Sequence, residues 1–175
     1  MAFTKEFSRD RDCVVLYKGD AYPVAVSNAM QAAGWQGGQA VQWADSVRDE
    51  FLVTFSDGLY GGFLLWGSDE PPDEYTAITR SQAMYGHGVL CTGGWLIATR
   101  TFERYTYASR QAGPLVENVY TVGERVLFSL RGFWTREDEW TLSGDPRGAN
   151  EYFVGSVVQA PTVDNDRFIT LQTSI

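Results

Sequence analysis

The chain carries one histidine, His87, set between Gly86 and Gly88. A Ser–His or Cys–His nucleophile would need that imidazole as its base. The flanking glycines read instead as a flexible turn. The two cysteines, Cys13 and Cys91, stand far apart and form no Cys-x-x-Cys pair. One histidine and two separated thiols do not make a four-ligand zinc site, and the thiols read as buried and free rather than bridged. Carboxylates gather at Asp69, Glu70, Asp73 and Glu74, and again at Glu137, Asp138 and Glu139. Two facing acids beside tryptophan platforms would suit glycoside hydrolysis. Acids adjacent on one loop define no such separation, so the acidic Pro-Pro stretch 67–74 reads as a solvated loop. Asp164-Asn165-Asp166 begins like a calcium loop, but the glycine and distant glutamate of an EF-hand do not follow, and a tight turn is expected. Neither GxGxxG after a strand nor GxxxxGK[ST] occurs, so no phosphate cradle is indicated. Aromatic and basic residues mix between Arg100 and Tyr107 in a way that would suit base stacking. The net charge of -8 opposes that, because neutralising phosphates takes Lys and Arg in excess. The expectation is a non-enzymatic chain with no catalytic residue, no cofactor, no metal, and neither nucleic acid nor membrane as partner.

The elements that would position such groups are mostly strands. Aromatic residues make up 14% of the chain and glycine is abundant, a composition that fits half-buried sheet faces joined by turns and bulges. Strands are expected over 13–17, 22–26, 39–43, 51–55, 59–66, 75–79, 89–91, 95–99, 125–130, 152–159 and 167–171. Residues 102–107 are expected to continue the sheet, and 152–159 and 167–171 to close it as an antiparallel pair. Ser56-Asp57-Gly58 signals a hairpin that returns 59–66 against 51–55. A short helix is expected over 27–33, capped by Ser27 or Asn28 and ended by Gly34. Residues 131–150 read as a long polar excursion. The fold class is therefore all-β, a mainly antiparallel barrel or sandwich with long loops and at most one or two short helices.

The organisation expected is an extended N-terminal arm, 1–12, followed by one β-rich domain, 13–175. The arm has no apolar core of a signal peptide, and no apolar run approaches the ~20 residues of a membrane-spanning helix. It carries Phe3 and Phe7 among Arg9, Arg11 and other charges. Arginine and tryptophan together are typical of interface hot spots. Phe3, Phe7, Arg9, Arg11, Trp134 and Trp140 are thus the candidate protein-interface residues.

A longer layout is also visible. Gly38-Gln39-Ala40-Val41 opens a strand, Ser56-Asp57-Gly58 leads to Gly61-Gly62, and Gly94-Trp95-Leu96-Ile97 opens another strand. Tyr120-Thr121-Val122-Gly123-Glu124-Arg125-Val126 precedes a Gly-rich excursion, and Phe153-Val154-Gly155-Ser156-Val157-Val158 precedes a final strand. This layout, over residues 38–172, resembles that of small bacteriophage capsid decoration (cement) proteins, with Glu124 where the family pattern often has Asp. The resemblance implies a β-rich virion protein with no catalytic residues. Such a protein would be made in the host cytoplasm, bind assembled major capsid protein on the outside of the head, and stabilise the shell, with a homotrimer favoured. A tail, connector or head-fibre component, or a carbohydrate-binding β module, are the alternative readings of the same residues.

Overall fold

In a computed structural model the fold is described for residues 11–44, 52–55, 60–68, 86–142 and 154–174. The protein is mostly β, with a closed five-stranded barrel, a six-stranded antiparallel sheet and, among the described residues, three short helices.

The chain starts in the sheet and crosses at once to the barrel. Strand β1 (Cys13–Tyr17) and strand β2 (Ala21–Val26) are joined by the Lys18-Gly19-Asp20 turn but belong to different sheets. Gly19 is required at this crossing, since a Cβ there would run into the Gly94 carbonyl and the Trp95 ring. Helix α1 (Asn28–Ala33) follows β2. Ser27 caps it, its Oγ accepting from Met30 N at 3.3 Å, and Gly34 ends it at φ +79°. Strands β3 (Ala40–Trp43), β4 (Leu52–Phe55), β5 (Gly62–Leu64) and β6 (His87–Cys91) complete the barrel in the order β2-β4-β3-β5-β6.

An odd-numbered barrel cannot be antiparallel all the way round, so at least one neighbouring pair must run the same way. Here that pair is β2 and β4, matched at Ala25↔Leu52 and Val26↔Val53. Parallel neighbours need a crossover, and α1 with β3 supplies it. Its helix is packed rather than loose: Met30 of α1 is buried with Val24, Val26, Val41, Val53, Leu64 and Leu90 in the barrel interior.

The second sheet adds β7 (Leu96–Thr99), β8 (Arg125–Phe128), β9 (Trp134–Arg136), β10 (Val154–Gln159) and β11 (Ile169–Ser174), in the order β1-β7-β11-β10-β8-β9. One face supplies Trp95, Ile97, Val126, Phe128, Trp134, Val157, Ile169 and Leu171 to a core shared with Ala40, Phe63, Leu65, Val89 and Cys91 of the barrel. Phe63 is the bridge, packed edge-on to both Trp95 and Trp134 with centroids 6.3 Å apart in each case. Leu64, the next residue, points into the barrel interior instead. The continuous apolar run at 63–66 thus starts in a strand, β5, that is buried on both faces, and Leu65 and Trp66 beyond its end are buried too. Helices α2 (Tyr107–Gln111) and α3 (Glu137–Leu142) flank the sheet side.

Several expectations are corrected. β4 and β5 are not a hairpin, because β3 lies between them: Val41 pairs with Phe55 on one side and Gly62 on the other. The turn signal at 56–58 itself lies outside the described residues. Residues 102–107 make only isolated bridges, and Tyr107 opens α2. The excursion expected over 131–150 contains β9 and α3, which brings the helices to three. His87 is not in a flexible turn; it is the first residue of β6, paired with Ala25. The stretch 75–79 and the carboxylates at 69–74 lie outside the described residues, whereas 163–167 is a turn, with Asn165 Oδ1 accepting from Thr162 N at 2.7 Å.

Cys13 and Cys91 are free, buried and members of one core. Burial pushes the Cys91 thiol well above its ordinary value, and neighbouring Cys13 adds to the effect. Burial likewise raises the Tyr120 phenol. Unfolded, these groups ionise near about pH 8.5 and about pH 10. Both folded values are raised, so the folded state holds the protons longer. The associated stability is complete below the unfolded values and is lost as pH rises through the window above them. The urea midpoint should therefore fall between about pH 8.5 and about pH 11, and a thiol reagent should leave both cysteines unmodified until the protein unfolds. A midpoint that does not change across that range would contradict this placement of the two groups.

Candidate functional site

The described residues hold one carboxylate that is both fully buried and multiply paired, Glu103, at 1% exposure. After β7 the chain runs beside β9: Trp134 N donates to Thr101 O at 3.1 Å and Glu103 N to Trp134 O at 2.7 Å. This cover gives the β9 edge backbone partners and turns Glu103 inward. Its Oε1 accepts from Arg131 Nε at 2.7 Å and from Ser129 Oγ at 2.8 Å, and its Oε2 from Arg131 Nη2 at 2.7 Å. Arg110 Nη1 stands 3.5 Å from Oε2. The Glu103 carbonyl accepts from Asn118 Nδ2 at 3.0 Å and Tyr120 Oη at 2.6 Å.

Local sequence explains how these groups meet. The β8–β9 connection is a tight turn, with Ser129 N donating to Phe133 O and Gly132 N to Ser129 O. Gly132 sits at φ +80°, and a Cβ there would come within 2.7 Å of the Ala40 carbonyl oxygen. Its own carbonyl accepts from Ala40 N at 2.8 Å, which docks the turn on the barrel. Arg131, at the turn, lies over the Phe133 ring at 4.3 Å and is held from behind by Gln39 Nε2, which donates to its carbonyl. Glu103 holds the Arg131 guanidinium charged, raising its value chiefly through the hydrogen bond. On the opposite wall, α2 is capped by Thr106, and its first N–H donates to Glu139 Oε2 of α3 at 2.6 Å.

Two clefts open on this arrangement and share Arg131. The smaller, of about 150 Å³, is lined by Glu103, Tyr107, Arg110, Ser129, Leu130 and Arg131. The larger and more open one, of about 420 Å³, lies between Trp35, Gln36, Gln39, Ser68, Arg131 and Phe133. Both Glu103 oxygens are occupied by donors, so the carboxylate fixes Arg131 and offers no open face to a substrate. The pattern is a positioned guanidinium, not an acid–base pair. Among the described residues no three His, Cys, Asp or Glu side chains converge as a metal site requires.

The interface candidates read from sequence do not gather here. Phe3, Phe7 and Arg9 lie outside the described residues. The Arg11 carbonyl accepts from Arg100 Nη2 at 2.9 Å, beside β7. Trp134 is no interface anchor: it is wholly buried between Phe63 and Phe128 and belongs to the core. Trp140 falls on α3. The sequence reading missed Glu103, Arg110 and Arg131. The only trace of Glu103 is its place in the partly alternating run 102–107, a carboxylate set between aromatics. Comparison with protein-family models, with curated proteins and with solved structures finds no match.

Removing Arg131 leaves the buried carboxylate with Ser129 and a distant Arg110. Arg131→Met should cost about 3 kcal/mol in urea unfolding, the lower part of the range for a broken buried pair, because Arg131 is itself 56% exposed. The double variant Glu103→Met with Arg131→Met should be more stable than Arg131→Met alone, since no buried carboxylate is then left short of donors and Arg110, which loses its Glu103 partner, is partly exposed to water. At the exposed Arg104–Glu117 pair, Arg104→Ala should leave the midpoint unchanged. Equal losses at Arg104 and Arg131 would show that the node carries no special weight.

Proposed function

We propose that this chain is a virion structural protein that binds the outside of an assembled phage head and stabilises it. The reading rests on how the segments that carry the resemblance combine. Residues 120–126 lead into β8 and residues 154–158 lie in β10, and these strands pair directly at Val126↔Gly155 and Arg125↔Ser156. The pattern's glycines work at that junction. Gly123 adopts φ +86° and donates to Val157 O, and a Cβ at Gly155 would press to 3.2 Å on Trp134 and Val126. β11, the strand that ends the pattern, pairs with β10. The C-terminal segments of the layout thus form one packed unit.

Beside that unit lies a pinned loop, 112–124. Asn118 and Tyr120 anchor it inward on Glu103, and Thr106 N and Asn118 N tie it to the backbone. Its apolar side chains Leu115, Val116, Val119 and Val122 face outward, as does Val158 of β10. Apolar side chains held rigid on a surface suit docking to a large protein partner, because little ordering is needed on contact. In this reading the partner is the major capsid protein, and the homo-oligomer implied by the resemblance is a trimer.

Added to heads that lack it, the protein should co-sediment with them and raise their melting temperature, since a ligand of the assembled state stabilises that state. Val119→Asp with Val122→Asp should abolish binding while the circular dichroism spectrum stays that of the parent. Capsid melting that is unchanged at saturating protein would refute the reading.

A further inference from the structure

We propose that the smaller cleft, between α2 and the β8–β9 turn, is a binding site for a single carboxylate group. Among the residues that line the cleft, two guanidiniums, Arg110 and Arg131, face one carboxylate, Glu103, which leaves the lining a surplus of one positive charge in a chain whose net charge is -8. Arg131 uses Nε and Nη2 on Glu103, and its Nη1 makes no hydrogen bond among the described residues. Arg110 reaches Glu103 only at 3.5 Å and is otherwise stacked over Tyr107, 5.7 Å from the ring centroid. A guanidinium has five N–H donors in a planar fork, so both residues keep donors for an incoming anion. Glu103 and the Phe133 ring fix Arg131 beforehand, which lowers the ordering cost of binding.

The shape and charge of the cleft select the ligand. Its surface is mainly apolar, and Tyr107 and Leu130 line it together with the charged residues. Its volume of about 150 Å³ equals that of roughly five waters at about 30 Å³ each. That is room enough for a carboxylate with a short aliphatic stem. One surplus charge matches a monoanion, and the fixed Glu103 repels a dianion such as phosphate. A free short-chain acid and a carboxylate on a polypeptide, from Asp, Glu or a C-terminus, share this chemistry.

The test is a titration of the isotope-labelled full chain, following the Arg110 and Arg131 Nε–H and Leu130 methyl signals by NMR. Butyrate should give saturable shifts at these positions and butyramide none. Arg110→Gln should weaken butyrate binding by about tenfold or more, as expected for loss of a charged hydrogen bond. Leu130→Asp, a change at an exposed position, should abolish it by placing a competing carboxylate at the mouth; this second variant serves if Arg110→Gln does not fold. A tripeptide with a free C-terminus that binds more tightly than butyrate, and not at all when amidated, would place the carboxylate on a polypeptide. Equal affinity for peptide and butyrate would place it on a free acid. Shifts that do not saturate, that butyramide reproduces, or that persist unchanged in both variants overturn the proposal.

Discussion

The arrangement of the sheet side depends on one buried carboxylate. Through its side chain Glu103 gathers Ser129 and Arg131 from the β8–β9 turn and Arg110 from α2. Through its backbone it gathers Trp134 of β9 and the Asn118 and Tyr120 anchors of the 112–124 loop. A carboxylate can be buried only when its lone pairs are taken by well-aligned donors. Here that requirement brings the β8–β9 turn and α2 to one point, and the backbone of the same residue adds β9 and the 112–124 loop. The loop stays in place because its polar residues are needed inside, and its apolar residues are left outside as a consequence. Ordinary hydrophobic sorting would have done the reverse.

The barrel side obeys a different constraint. Five strands cannot alternate direction around a closed ring, so β2 and β4 are parallel, and the chain between them has to cross over. The two halves are then joined by shared packing as well as by hydrogen bonds such as Ala40 N to Gly132 O. β5 sends Leu64 into the barrel and Phe63 into the joint core, where it meets Trp95 and Trp134.

Local signals in the sequence predicted what is local. Ser27 and Gly34 bound α1 as expected because a cap and a left-handed stop are properties of a few neighbouring residues. β1 has the predicted bounds, and β10 and β11 form the predicted pair, since alternation and turn residues act over short spans. Strand partners were not legible. A Ser-Asp-Gly signal indicates a reversal, but which edge the returning chain meets is decided by barrel closure, and here β3 occupies the place the hairpin would have used. Trp134 looked like a surface residue in a polar stretch; only Phe63 and Phe128, distant in sequence, make its site a core site. Helix α2, five residues long, is too short to show a period, and its cap is completed by Glu139 from another helix. For the same reason the node was invisible: its members span residues 103 to 134 and share no motif.

The order β1-β7-β11-β10-β8-β9 has a consequence for how the protein comes into being. β11, the last strand to be translated of those described, is an inner strand, hydrogen-bonded to β7 on one side and β10 on the other. Until it leaves the ribosome, β1 with β7 and β10 with β8 and β9 are two separate ribbons, each with an open inner edge. A nascent chain has all five barrel strands once residue 91 is made, but its larger sheet must await β11. Exposed edges during that wait invite pairing with other chains. Until β11 is made, the inner edges of β7 and β10 are therefore the places where this chain is most open to pairing with a copy of itself.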